Sequence, residues 1–160
     1  MGTDMVAFIE YDTSVYDLAM YGPTALSGGL TTPPPPFADR LVETYSVTEE
    51  EGLYTGSKDY VFFGAIAGVR NQTNIDPLFV PRGLPPNPSR PVKAHVEKWG
   101  GVGEFGMGWL TLAEINAALD HQRVNRKHLC FETETILFIM ANLENRLGDD
   151  RVRLVFGFWG

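Results

Sequence analysis

The sequence has little cysteine, few positive charges and no long apolar run. Its 160 residues include one cysteine, Cys130, which excludes an internal disulfide and leads us to expect a reducing compartment. Thirteen Lys and Arg stand against 20 Asp and Glu, a formal charge of −7 that disfavours general nucleic-acid binding. The longest apolar run, 136–141, is far too short to span a bilayer, and the acidic first residues do not resemble a signal peptide.

The chain does contain enough apolar and aromatic side chains to build a core. Hydrophobic residues make up 44% of it, including ten Phe, six Tyr and three Trp. This composition predicts a folded domain rather than disorder, and the length suits one domain. We therefore predict a single α+β domain over 1–160, with proline-rich loops at 31–37 and 70–91.

The predicted strands lie mainly at the two ends of the chain. Residues 5–11 are apolar, β-branched and aromatic, which is typical of a strand. In 152–158 apolar residues occupy every second position, Val152, Leu154, Phe156 and Phe158, which predicts a half-buried strand that pairs with the first. A weaker pattern predicts a further strand over 41–47. We expect a small mixed or antiparallel sheet packed against about three helices.

The helices are predicted from caps and from apolar residues at helical spacing. Thr111 and Glu114 match a capping box, in which each side chain bonds a backbone N–H of the other residue. Ser57 or Asp59 is suited to cap an earlier helix. The predicted helices cover 60–67, 111–122 and 133–147.

A glycine-rich segment, 101–106, formally matches the GxGxxG dinucleotide fingerprint. The residues before it do not form a clear strand, and the next helix begins only at Thr111, so the required context is missing. We interpret the segment, which contains Glu104, as a flexible loop, with anion binding at the following helix as an alternative. Trp99 and Trp109 flank it, either as a stacking wall for a ring-bearing ligand or as a plug at the edge of the core.

No residue pattern points to a catalytic or metal site. His95, His121, His128 and Cys130 are the soft metal ligands, and their spacing matches no zinc motif. No GxSxG element is present. We therefore predict no catalytic residue, metal or cofactor. The basic cluster 121–128 suits either a phosphate or acidic partner or a solvated helix end.

The loop 70–91 is the strongest candidate for a functional segment. Six prolines stiffen it, and loops of this length inside one domain are often functional. Arginines on a rigid loop bind anions well, and they serve equally well to tie down loop carbonyls. The predicted binding residues, drawn from this loop and the tryptophan-flanked segment, are Arg70, Asn71, Arg82, Trp99, Glu104 and Trp109.

Several short segments occur in an order that resembles a known family. They are Ala65–Asn71, Pro81–Pro85, Trp99, Trp109–Ile115 and Val152–Phe158. In this order they resemble a family of small uncharacterised proteins found mostly in tailed bacteriophages, over roughly residues 58–158. Members of that family often carry histidines before the Trp-Leu-Thr-Leu motif, whereas 102–108 has none here.

The resemblance implies a phage accessory protein acting in the host cytoplasm, without an established reaction. Our leading hypothesis is a non-catalytic protein that binds and modulates or inhibits a host factor, plausibly in counter-defence. The alternative is a binding protein or enzyme for a small nucleotide-like signalling molecule, with its pocket between 70–91 and 99–109. A minor virion component is a third hypothesis. The oligomeric state is left open, and no membrane partner is expected.

Overall fold

The computed structural model describes residues 2–14, 36–37, 42–45, 53–54 and 58–160. The predicted loop at 31–37 therefore lies outside the described residues except for its last two positions. The predicted strand at 41–47 is described over 42–45.

The described strands form one antiparallel sheet, and the predicted α+β class is confirmed. The strands are β1 (Asp4–Asp12), β2 (Val42–Tyr45), β3 (Leu53–Tyr54), β4 (Phe105–Thr111) and β5 (Val152–Trp159). Their order is β2-β1-β5-β4, and β3 also pairs with β1. The predicted pairing of the first and last strands is confirmed, from Asp4 opposite Trp159 to Tyr11 opposite Val152.

In the part of the chain that the structure describes, four α-helices cover the two faces of this sheet. They are α1 (Tyr60–Ala67), α2 (Arg90–Trp99), α3 (Leu112–His121) and α4 (Phe131–Leu147), with a 3₁₀ turn at Arg126–His128 before α4. The helices α1, α3 and α4 share the main core with Met5, Leu154 and Phe156. On the opposite face, Val92 of α2 packs with Phe8 and Val155.

The strand β5 is buried on both faces, so its prediction as a half-buried strand was wrong. Seven of its eight residues are buried, including Arg153. The strand occupies a central position in the sheet, and α2 covers the face that we expected to meet water.

The helix α2 and the strand β4 were not predicted, because the proline of the one and the glycines of the other hide the local pattern. Pro91 lies in the first turn of α2, where the missing N–H has no intrahelical partner to lose. The predicted flexible loop continues into β4, which pairs with β5 through Trp109 opposite Val155. The capping box of Thr111 and Glu114 is confirmed at the start of α3.

Asp59, one of the two predicted caps, joins the beginnings of two helices. Its buried carboxylate accepts the backbone N–H of Phe62 in α1 (N···O 3.2 Å). It also accepts the N–H of Cys130 at 2.8 Å and the hydroxyl of Thr133 at 2.7 Å, both at the start of α4. One side chain therefore fixes α1 against α4.

Candidate functional site

Arg82 and Trp109 are the two predicted site residues that the fold brings into contact. The guanidinium of Arg82 lies 4.0 Å from the centroid of the Trp109 ring. Its Nε donates to the Trp109 carbonyl at 2.9 Å, and its terminal nitrogen pairs with Glu114 of α3. Gly83 donates its N–H to the Met107 carbonyl at 2.9 Å. The loop 70–91 is thus fastened directly along β4.

A buried ion pair lies beneath this contact, on the α2 face of the sheet. Glu10 of β1 and Arg153 of β5 are opposite each other in the register, and Arg153 Nε donates to Glu10 Oε1 at 2.7 Å. The ring of Phe37 stacks on the Arg153 guanidinium at 3.9 Å. Burial lowers the pKa of Arg153, whereas the charge and hydrogen bond of Glu10 oppose that shift. The ion pair is therefore a fixed point in the core. Groups that bond to the other atoms of the Glu10 carboxylate and the Arg153 guanidinium are held in place by it.

Those remaining atoms hold the end of the loop and the start of α2. Arg153 donates from a terminal nitrogen to the Asn87 carbonyl at 3.0 Å. The second carboxylate oxygen of Glu10 accepts the backbone N–H of Ser89, the residue that caps α2. Sequence reasoning missed both charged residues, because 143 positions separate them and only the pairing of β1 with β5 brings them together.

A second ion pair at the end of the same two strands holds Asp12 and Arg151. Arg151 donates to Asp12 Oδ2 at 2.7 Å, and the Asp12 carboxylate is buried. It also accepts the N–H of Phe37 at 2.9 Å and both the N–H and the hydroxyl of Ser14. Both carboxylate oxygens of Asp12 already accept bonds from the surrounding fold, so this carboxylate serves to hold the ends of the strands rather than to transfer protons.

The start of the loop is fastened to the end of α3. Gln122 Nε2 donates to the Ile75 carbonyl at 2.8 Å, and a ring nitrogen of His121 lies 3.0 Å from the Asp76 carbonyl. The predicted site residues Arg70 and Asn71 also serve the loop. Arg70 Nε donates to the Thr3 hydroxyl at 2.9 Å, and Asn71 Nδ2 donates to the Ile75 carbonyl at 2.8 Å.

Trp99 and Glu104 lie apart from the contact of Arg82 with Trp109. Trp99 ends α2, is 55% exposed, and meets Trp159 at the far end of β5 with their ring centroids 6.2 Å apart. Glu104 is exposed and donates its backbone N–H to the Phe158 carbonyl at 2.7 Å. The six predicted residues are therefore distributed over three places rather than gathered in one.

The glycines of the predicted loop permit a close approach of two backbones. A Cβ on Gly157 of β5 would stand 1.4 Å from the Val102 carbonyl oxygen, and a Cβ on Gly103 would stand 2.3 Å from the Phe158 nitrogen. Gly103 also has φ +79°, a conformation that favours glycine. The segment 101–106 packs against β5 and continues into the strand β4. A dinucleotide site instead has the order strand, glycine loop, helix.

The middle of the loop 70–91 presents apolar side chains to solvent. Val80 is 77% exposed, and Leu78 and Leu84 on either side of it are exposed as well. Between them, Arg82 and Gly83 are bonded to β4. The loop is therefore held to β4 by polar bonds while three of its apolar side chains face solvent.

His95 of α2 is the one histidine buried in the described residues. Its ring packs edge-on against Phe8 with the centroids 5.3 Å apart, and neither ring nitrogen has a hydrogen-bond partner there. Burial, with a smaller contribution from Lys98, lowers the pKa of His95. The ring is therefore held neutral at pH 7.

No protein-family model, curated protein or solved structure matches the chain. Over the described ranges, no three His, Cys, Asp or Glu side chains are grouped so as to hold a metal ion. A bilayer-crossing helix, long and apolar enough, is not found among the described residues either.

Proposed function

We propose that the chain is a non-catalytic binding protein that recognises a protein partner through the loop 70–91. The observation that carries the proposal is the outward display of Leu78, Val80 and Leu84 on a segment whose neighbours are bonded to the fold. Exposed apolar side chains grouped on one ordered segment are suited to a partner interface, whereas singly scattered ones are ordinary.

Fixing the loop before binding lowers the entropic cost of association. The segment is held at its start by α3, at its middle by β4 and at its end by Arg153. An immobilised rotamer-rich side chain costs about 0.5–1.5 kcal/mol on association, and loop ordering adds to that cost. A loop that is already ordered avoids part of this cost, so three apolar side chains can support specific recognition.

The small-ligand alternative has less support from the described contacts. It requires Arg70, Arg82, Trp99, Trp109 and the glycine loop to surround one pocket. Arg82 instead directs its Nε and a terminal nitrogen at the Trp109 carbonyl and Glu114. Trp99 and Glu104 lie at the other end of β5.

The resemblance to phage proteins leads us to propose a class of partner and a compartment. We propose that the partner is a host protein, that binding modulates or inhibits it, plausibly in counter-defence, and that this happens in the host cytoplasm. The charge of −7 supports solubility and permits steering toward a basic partner.

The test is recovery of a partner from bacterial lysate by the tagged chain, quantified by mass spectrometry. The variant Val80→Glu places a charge in the middle of the proposed surface and should lose the partner. The variant Phe138→Glu makes the same kind of change at an exposed position on α4 and should keep it. A partner recovered equally by both variants, or no partner at all, would overturn the proposal.

A further inference from the structure

A second apolar surface lies on the outer side of α4. Phe131 and Phe138 are 77% and 72% exposed, and seven residues, about two helical turns, separate them, so they lie on one line. Ile136 and Met140, which are buried in the core, lie on the opposite side of the helix. The two phenylalanines therefore point away from the core, and the described residues cover neither of them.

A groove beside this line runs between α3 and α4. The groove is open to solvent and has a volume of about 370 Å³. Its lining is mostly apolar, with Phe138 beside Leu112, Leu129, Leu137 and Ala141, and it also contains Asn116, Arg126 and Glu134. The outer side of α3 next to the groove carries the small exposed residues Ala113 and Ala117. Small side chains let another helix approach closely, so the groove can accept a helix bearing a large apolar residue.

We propose that this surface binds a second copy of the chain, with the two α4 helices antiparallel and related by a two-fold axis near Phe138. Phe138 lies close to the middle of α4, seven residues after Phe131 and nine before Leu147. A two-fold axis at that point superimposes the two helices along their whole length. Each Phe138 then enters the groove of the other copy, and α3 and α4 of both copies form a four-helix layer.

The charges at the two ends of α4 support the antiparallel arrangement. The turn before the helix carries exposed Lys127, whereas exposed Asp149 and Asp150 follow its last turn. Within the helix the signs are reversed, with Glu132 and Glu134 in the first turn and Arg146 in the last. The pKa of Glu144 is raised first by burial and then by Asp149 and Asp150, which reflects the negative potential at this end. With the axis near Phe138, each basic turn faces the acidic end of the other copy, as an isologous interface requires.

The exposed apolar area on α4 fits a dimer of moderate rather than high affinity. A stable interface buries about 800 Å² on each partner. Two largely exposed phenylalanines supply about 300 Å² of that. The outer side of α3 and the turn before α4 must provide the remainder, so we expect association to depend strongly on Phe138.

Analytical ultracentrifugation over concentrations up to about 500 μM tests the proposal. The wild-type chain should show a monomer–dimer equilibrium, and Phe138→Glu should raise the dissociation constant about 30-fold or more, as for an interface hot spot. The matched control Val80→Glu, at an equally exposed valine on the loop, should leave it unchanged. A monomer at every concentration, or a dimer that Phe138→Glu does not weaken, would overturn the proposal, and the first result would assign the surface to a different partner.

Cysteine cross-linking tests the position of the axis independently. Thr135 and Ala141 are exposed and lie three residues before and after Phe138, so an axis near Phe138 brings Thr135 of each copy to Ala141 of the other. The variant with Thr135→Cys and Ala141→Cys in a Cys130→Ser background keeps Phe138 and should form a covalent dimer with a mild oxidant such as diamide. Either cysteine alone should cross-link much less, because its own copy then lies about 9 Å away along the helix. Equal cross-linking by the single and double variants, or none by the double variant, would contradict the antiparallel arrangement.

Charge reversal tests the pairing of the helix ends. Lys127→Glu should raise the dissociation constant about five-fold, since two exposed ion pairs of about 0.5 kcal/mol each are lost. Adding Asp150→Lys to that variant should restore wild-type affinity. Additive weakening by the two substitutions would count against this pairing.

Discussion

Removing the negative charge of Glu10 should destabilise the protein by about 3 kcal/mol or more, since breaking a buried ion pair leaves the partner charge uncompensated. Both members of the pair are essentially inaccessible to solvent, and Glu10 Oε1 accepts Arg153 Nε at 2.7 Å. Glu10→Gln keeps the shape of the side chain but leaves the Arg153 guanidinium buried without its counter-charge. The backbone N–H of Ser89 also loses a carboxylate acceptor.

Urea denaturation followed by circular dichroism measures this effect as a change in the free energy of unfolding. The control Glu104→Gln removes an exposed carboxylate of the same type and should change stability by less than about 0.5 kcal/mol. Replacing both Glu10 and Arg153 by methionine should cost less than replacing Glu10 alone, because no buried charge remains. A loss below about 1 kcal/mol for Glu10→Gln would refute the claim that this pair anchors the loop and α2.

Three further changes test other parts of the fold by the same unfolding measurement. Asp59→Ala removes the cap of α1 and two bonds to the start of α4, so it should lower the free energy of unfolding by about 2–4 kcal/mol. A decrease below about 1 kcal/mol would show that the two helices are held together in another way. The pKa of His95 is lowered in the folded state, so its contribution to the free energy of unfolding should be fully present above about pH 6.5 and be lost as the pH falls below it. His95→Phe should remove this pH dependence. An unchanged slope of unfolding free energy against pH in that variant would contradict the assignment. Gly157→Ala would drive a Cβ into the Val102 carbonyl and should cost about 3 kcal/mol, whereas Gly100→Ala, with open space around it, should cost about 1 kcal/mol; equal losses would contradict the close approach.

The elements with strong local signals could be predicted from the sequence. The capping box of Thr111 and Glu114 located the start of α3, and regular apolar spacing located α4 to within two residues of its start. The sequence does not predict α2, because Pro91 ends a proline-rich segment and proline interrupts helices except in their first turn, which is where it lies here. The strand β4 was missed because its glycines weaken the β pattern, and its pairing with β5 stabilises it.

The candidate site could be predicted only in part, because it depends on contacts between distant segments. Arg82 and Trp109 were both singled out, and they do meet, but through a loop lying on β4 rather than around an open cavity. The pair of Glu10 and Arg153 has no local signature in the sequence. The exposure of Val80 could not be predicted either, because the pattern of prolines does not show which side of a loop faces the fold.

Hydrogen exchange of the backbone amides, with and without the recovered partner, tests the central claim most directly. In the free protein, the amide of Gly83 should be protected by its bond to the Met107 carbonyl, because the loop is ordered before binding. Addition of the partner should slow exchange across 78–84 and leave α4 unchanged. An unprotected Gly83 amide in the free protein, or partner-induced protection confined to α4, would contradict the account.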